Sequence, residues 1–341
     1  MNLETCMFHE AGEAPAVVRS MLERNREPIE RLGEVLRKAA PRAVVTVARG
    51  SSDHASTFAK YLIETRVGVL ASSAAPSISS VYAAKADLDG VLCLAISQSG
   101  ASPDLLSSVA AAKSAGALIV ALVNADNSPL SRAAHHTIAL HAGPEASVAA
   151  TKSYIASLAT IIQLVAAWTR DPSLSEALGQ APTLLDAAWR FDWSAAIARL
   201  QSATNLYVIG RGLGLGIAQE AALKFKETCG LHAEAFSAAE LRHGPMALVR
   251  KGFPVLVFAQ HDETHAGIEQ LARDLRNAGA DLMLAGAEAE GAVVLPTLRA
   301  NATIEPLLMI QSFYRLANAL AITRGRNPDR PPHLSKVTET V

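Results

Sequence analysis

The sequence predicts an α/β protein in which two doubly wound parallel-sheet domains follow one another, joined by a helical linker and ending in a C-terminal tail. Three observations carry this. Six short apolar or β-branched runs alternate with longer helix-patterned segments: Ala43 to Ala48, Val91 to Ile96, Ala117 to Val123, Asn205 to Ile209, Pro254 to Ala259 and Asp281 to Leu284. The runs are apolar on both faces, as strands of a parallel sheet covered by helices must be. The chain also repeats itself. Val44-Val45-Thr46-Val47-Ala48-Arg49-Gly50 matches Leu206-Tyr207-Val208-Ile209-Gly210-Arg211-Gly212 at an offset of 162 residues. Leu92 to Gln98 matches Pro254 to Gln260 at the same offset, and the helices that follow, ending Lys113-Ser114-Ala115-Gly116 and Arg276-Asn277-Ala278-Gly279, match at an offset of 163. Each copy is too long for a solenoid unit and holds several βα units.

Taken in order, residues 1–40 hold one or two helices, because Val17, Val18, Met21, Leu22, Ile29, Leu32, Val35 and Leu36 recur at helical spacing and would pack on the first domain. The first sheet domain spans 41–170. Its apolar helix pattern from Ile155 to Trp168 is interrupted by Ser157, Thr160 and Gln163, and falls short of the roughly 20 residues that span a bilayer. A helical linker, 171–200, is punctuated by Pro172 and Pro182 and ends in an amphipathic run from Ala187 to Leu200. The second sheet domain spans 201–325 and the tail 326–341.

Composition narrows the function. The chain has 341 residues, 50% hydrophobic and 18% charged, with 31 Lys and Arg against 32 Asp and Glu. That is enough to bury a large core without disulfides or metals. A net charge of −1 supplies no basic field for nucleic acid, and no basic amphipathic segment marks a membrane surface. Cys6, Cys93 and Cys229 are far apart and read as reduced thiols. Glu4, Glu10 and Glu13 interrupt the first residues, so a cytoplasmic chain without a secretory signal is expected.

In an open parallel sheet, ligands collect beyond the carboxyl ends of the strands, where the next helix offers unpaired N–H groups. After the Val91 run comes Ser97-Gln98-Ser99-Gly100-Ala101-Ser102-Pro103-Asp104: three hydroxyls, a glycine, an N-cap position, a Pro at the first helical position and an acidic first turn. This is the layout of an anion cradle; capping alone would explain Ser102 but not the density of hydroxyls. Gly50-Ser51-Ser52-Asp53 reads equally as a capping loop or a ligand contact. The counterpart Gly210-Arg211-Gly212-Leu213-Gly214 lacks hydroxyls and makes a poor dinucleotide fingerprint. On the helix that follows, Glu220, Lys224 and Glu227 fall within one narrow stripe, the rest being largely apolar, which places the stripe at a cavity or interface rather than in solvent. Among ten histidines, His243 stands out on the tight turn Arg242-His243-Gly244-Pro245, and no His, Cys or Asp spacing makes a metal site.

With those residues in place, the chain resembles the sugar isomerase (SIS) family, and within it the isomerase half of glucosamine-6-phosphate synthase. The matching strings are Ser97-Gln98-Ser99-Gly100, Ala221-Ala222-Leu223-Lys224-Phe225-Lys226-Glu227, His232-Ala233-Glu234-Ala235, Glu240-Leu241-Arg242-His243-Gly244-Pro245 and the tail Leu334-Ser335-Lys336-Val337-Thr338. They run in family order over nearly the whole chain. The resemblance implies flavodoxin-like domains and a hexose 6-phosphate ligand, with Ser97, Gln98, Ser99 and Ser102 taking the phosphate and Ser51 and Ser52 lining the sugar. It implies Glu227 as the base that moves a proton between C1 and C2, and His243 as the ring-opening acid/base, lent by the neighbouring subunit of a homodimer. Lys336 would lie over the open-chain sugar and can form an imine with a ketose, with Glu220 and Lys224 in support. No metal or organic cofactor is implied.

Three departures shape the expected activity. The synthase carries an amidotransferase domain opening with a nucleophilic cysteine, whereas here Met1-Asn2 leads straight into helices, so glutamine is not expected as nitrogen donor. Ala150-Thr151-Lys152 stands where the synthase has a serine before Thr-Lys, and Ala101-Ser102 where it has Glu-Thr. The stand-alone deaminases of the family run the chemistry in reverse, and the expectation is conversion of glucosamine 6-phosphate and water to fructose 6-phosphate and ammonia. The alternatives are action on galactosamine 6-phosphate or a glycated amino acid, bare aldose–ketose isomerisation, ammonia-dependent synthesis of glucosamine 6-phosphate, and a non-catalytic sugar-phosphate sensor.

Overall fold

The computed structural model describes residues 4–336. Val337 and Thr338 of the tail motif, and Met1-Asn2, lie outside the described residues. The chain divides into two compact units, one holding residues 16–145, 152–179 and 335–336, the other residues 4–15, 146–151 and 180–334.

The first unit is built on five parallel strands, β1 (Ala43–Val47), β2 (Ala71–Ser73), β3 (Val91–Ser97), β4 (Leu118–Val123) and β5 (His136–Ala139), in the order β2-β1-β3-β4-β5. Every residue of β3 is buried, and its register sets Cys93 between Val45 of β1 and Ile119 of β4. That is why its run reads as continuously apolar: a central parallel strand has helices on both faces. Val47, Cys93, Ala95, Leu105, Val109 and Ile119 form the core under the helix Pro103–Ser114. The helix Arg26–Ala39 buries Ile29, Leu32 and Leu36 and packs on the helix Lys152–Thr169. At Gly33 the two helices approach so closely that a β-carbon would lie 2.8 Å from the Ala167 carbonyl oxygen.

The second unit repeats the plan. Its strands β6 (Asn205–Gly210), β7 (His232–Ser237), β8 (Pro254–Phe258), β9 (Asp281–Ala285) and β10 (Val293–Leu295) are parallel and run β10-β9-β8-β6-β7. Read from the strand that follows the first, this is the same order as in β1–β5. Tyr207, Ile209, Val255, Val257, Leu271, Leu275, Leu282 and Leu284 fill the core on one side. On the helix Glu305–Thr323, Phe313 meets Phe225 edge to face at 5.0 Å. The short helix Cys6–Gly12 belongs here as well; Thr5 Oγ1 caps it by accepting the Phe8 N–H at 3.1 Å, and Phe8 packs on Trp189.

The linker differs from the expectation in two places. Pro182 does not punctuate it but lies inside one helix, Pro172–Trp189, where a missing N–H costs a single backbone hydrogen bond. The amphipathic run from Ala187 to Leu200 is not continuous. It breaks after Trp189 and resumes as a 3₁₀ turn, Ser194–Ala196, and one helical turn, Ile197–Leu200. Asp192 Oδ1 accepts the Ser194 N–H at 2.8 Å and buried Trp193 donates Nε1–H to the Pro296 carbonyl at 2.9 Å, so side-chain bonds hold the break that periodicity alone passes over. Among the described residues no helix is long and apolar enough to cross a membrane.

Candidate active site

In the first unit β1 and β3 are neighbours, yet the chain leaves them toward opposite edges of the sheet, so the loops after them part at the strand ends. This is the switch point at which doubly wound sheets take ligands. The loop after β3 is the serine loop. Ser97 Oγ accepts the Gly100 N–H at 2.9 Å, Ser99 Oγ accepts the Ala101 N–H at 3.4 Å, and the Gly100 carbonyl accepts from Leu130 N–H at 3.0 Å. Gly100 has φ +61°, and a β-carbon there would lie 2.5 Å from Ser128 Oγ, so only glycine closes the loop. Gln98 and Ser99 are half-buried beside it.

Ser102 occupies the N-cap position of the helix Pro103–Ser114, but its hydroxyl makes no capping bond. The Leu105 N–H that it would accept is bonded instead to Asp104 Oδ1 at 2.7 Å. The capping reading of this hydroxyl is therefore corrected. Asp104 is buried, and its other oxygen takes Arg49 Nε at 2.7 Å and Nη2 at 2.6 Å. Arg49, at the end of β1, thus ties the two switch-point loops together. Ser51 and Ser52 follow it as the half-buried first residues of the helix Ser51–Arg66, with the Ser52 N–H donating to the Arg49 carbonyl at 3.1 Å. The Arg49–Asp104 pair was missed at the level of sequence, although Arg-Gly recurs at the end of both repeat strands.

Lys336 also belongs to this unit. Its Nζ donates to Glu145 Oε2 at 3.3 Å. The Glu145 side chain is fully buried and takes two bonds from Ser153, the N–H at 3.2 Å on Oε1 and the hydroxyl at 2.7 Å on Oε2. No periodicity or motif singles out Glu145 in the sequence.

In the second unit the loops after β6 and β8 bond to each other. Gln260, the counterpart of Gln98, is fully buried and donates Nε2–H to the Arg211 carbonyl at 2.7 Å and to Asp262 Oδ2 at 2.9 Å. The charged stripe lies on the helix Gly214–Cys229. Glu220 and Lys224 are fully buried, and Glu227 keeps 18% of its side chain exposed. Lys224 Nζ lies 2.7 Å from Glu227 Oε2 and 3.2 Å from Glu220 Oε1, and Tyr314 OH donates to Glu220 Oε1 at 3.1 Å. Burial pushes the Lys224 ammonium toward neutrality, but the two carboxylates outweigh it and hold the lysine above its ordinary value. A solvated Glu-to-Lys pair is thereby ruled out for this stripe: the ammonium is buried and charged, and it holds Glu227 at the surface edge of the helix. His243 sits on the exposed turn Glu240–His243, before Gly244 at φ +139°.

The structure thus gathers Ser51, Ser52, Ser97, Gln98, Ser99 and Ser102 at one switch point, and Glu220, Lys224 and Glu227 on one helix of the other unit. Comparison with known proteins places these features in a family. A model of the SIS domain matches residues 36–167 and 199–288. The chain belongs to the SIS domain family. A glutamine–fructose-6-phosphate aminotransferase (isomerising) of Methanothermobacter thermautotrophicus is 34% identical over 347 residues, covering 97% of this SIS chain and 56% of the relative. The chain therefore spans about half the length of the curated relatives it matches. Among solved structures, a Silicibacter pomeroyi DSS-3 protein provisionally named a phosphosugar isomerase superposes with a TM-score of 0.91 at 43% identity, covering 96% of this chain and 100% of that one. The C-terminal domain of glucosamine-fructose-6-phosphate aminotransferase from Francisella tularensis superposes with a TM-score of 0.86 at 25% identity, covering 96% and 98%.

Proposed function

We propose that this SIS protein is a glucosamine-6-phosphate deaminase, releasing fructose 6-phosphate and ammonia. The observation that carries the reading is the Glu227 carboxylate, partly exposed and tethered at 2.7 Å to a buried, charged Lys224, on a chain similar over 97% of its length to enzymes named for amino transfer to fructose 6-phosphate. Those enzymes join nitrogen to the sugar; the same bond chemistry run the other way frees it.

In this reading the phosphate is taken by Ser97, Gln98, Ser99 and Ser102 with the first turn of the helix Pro103–Ser114, where N–H groups and the helix dipole favour an anion. Ser51 and Ser52 line the sugar. His243, whose exposure on its turn suits a group lent across a homodimer, assists opening of the ring to the aldehyde. Glu227 removes the proton from C2 and returns it to C1, which converts the aldose to a ketose-level iminium at C2. Water adds at C2, the carbon–nitrogen bond breaks, and ammonia leaves with fructose 6-phosphate. Lys336 contacts the open-chain sugar and can form an imine with the ketose. Glu220 and Lys224 hold Glu227 in place. A positioned acid/base of this kind contributes about 10²–10⁴-fold.

A coupled ammonia assay over glucosamine 6-phosphate, galactosamine 6-phosphate and a glycated amino acid phosphate tests the assignment. Ammonia and fructose 6-phosphate in equal amounts from glucosamine 6-phosphate are expected. Binding of these sugars with no release of ammonia from any of them would turn the assignment toward a sensor.

A further inference from the structure

We propose that Glu145 is the positioning residue of the C-terminal tail, a buried carboxylate socket that docks the Lys336 ammonium and so fixes where that amine stands for the sugar. The proposal rests on the reading of Lys336 as a sugar-contacting group, and adds a residue that no motif indicates.

The socket is built from the body of the first unit. Glu145 lies between β5 and the 18-residue helix Lys152–Thr169, and its side chain is completely buried. A buried carboxylate is costly unless hydrogen-bonded. Here Ser153 at the start of the helix meets both oxygens, donating its N–H to Oε1 at 3.2 Å and its hydroxyl to Oε2 at 2.7 Å, with the favourable end of the helix dipole behind them. Both of these bonds come from the body of the unit. Oε2 also accepts from Lys336 Nζ at 3.3 Å. The lysine keeps 27% of its side chain exposed, so it reaches from the surface into a site already formed.

The energetics favour a positioning role over a stabilising one. A residue near the chain end is ordered only where something ties it down, and an ion pair with one buried, pre-held partner loses less side-chain freedom than an exposed pair does. Glu145 need not touch the sugar for this. It acts through Lys336, and a displacement of about 1 Å in such a group can cost about a hundredfold in rate.

Two readouts separate the docking from the chemistry. Native tryptic cleavage after Lys336 reports whether the ammonium is docked; Glu145→Gln is expected to speed it and Glu145→Asp to restore much of the protection. Trapping with fructose 6-phosphate and cyanoborohydride, followed by peptide mass mapping, reports whether the amine meets the ketose; Glu145→Gln is expected to lower the Lys336 adduct by at least about tenfold. Unchanged cleavage and unchanged adduct in Glu145→Gln would overturn the proposal. No adduct in the wild-type protein would overturn the reading of Lys336 itself, while the cleavage test would still judge the docking. Should Glu145→Gln lower the melting temperature, Lys336→Gln carries the test. Adding Glu145→Gln to it must leave the KM for glucosamine 6-phosphate unchanged, and a further independent loss would contradict the coupling.

Discussion

The ammonium of Lys224 donates to the Glu227 carboxylate across 2.7 Å, the lysine wholly buried and the glutamate at the surface edge three residues further along the same helix. Lys224 also faces buried Glu220 at 3.2 Å, so one buried ammonium serves two carboxylates. Lys224→Met is expected to destabilise the fold by about 3–5 kcal/mol, because it strips the cation from a buried carboxylate. Urea unfolding measures this, and combining the change with Glu220→Gln should recover much of the loss, a coupling that independent sites would not show.

Gly100 closes the serine loop at φ +61° with Ser128 Oγ where a β-carbon would point. Gly100→Ala is expected to cost at least about 2 kcal/mol from the left-handed backbone and the forced contact together. It should also raise the KM for any phosphosugar substrate, because the Ser97 and Ser99 hydroxyls lose the backbone that places them. Thermal unfolding and steady-state kinetics on the same preparation check both parts.

Arg49 grips buried Asp104 through Nε and Nη2 at 2.7 and 2.6 Å. Arg49→Met is expected to loosen the loops after β1 and β3 relative to each other, weakening binding of inorganic phosphate while leaving the Glu227 helix intact. Calorimetric titration with phosphate measures the loss. Unchanged affinity would mean that the pair serves folding alone.

Burial pushes the Cys93 thiol from its ordinary 9.0 up to about 12, and the Cys229 thiol, also chiefly by burial, to about 11. The unfolded chain therefore gives up these protons first as pH rises, and the native state holds more of them. Stability present in full below pH 9 is expected to fall between pH 9 and about 12, at up to about 1.4 kcal/mol per pH unit for each thiol. Denaturant midpoints across that range should fall less steeply in Cys93→Ala. Alkylation of the native protein at pH 8 should spare both buried thiols and reach only exposed Cys6.

Much of the architecture was legible from the residues. The six apolar runs are β1, β3, β4, β6, β8 and β9, and the matched Arg-Gly ends of β1 and β6 mark the two repeated sheet domains. What lacked a signal lies at the sheet edges: β2 is only Ala71–Ser73, β10 only Val293–Leu295, and β7 carries exposed His232 and Glu234 on either side of its buried Ala233. Edge strands pair on one side and need no continuous apolar run. In the candidate site, the stripe of Glu220, Lys224 and Glu227 was visible because three charges on an apolar helix break its pattern. Arg49–Asp104 and Glu145–Lys336 were not, since each joins residues at least 55 apart and depends on tertiary closure that no local spacing encodes.

The most direct test of the central claim is ammonia release from glucosamine 6-phosphate by Glu227→Gln, with ligand affinity measured by calorimetry on the same protein. The account predicts that release falls by about 10²–10⁴-fold while the phosphosugar still binds. Release at close to the wild-type rate would contradict it.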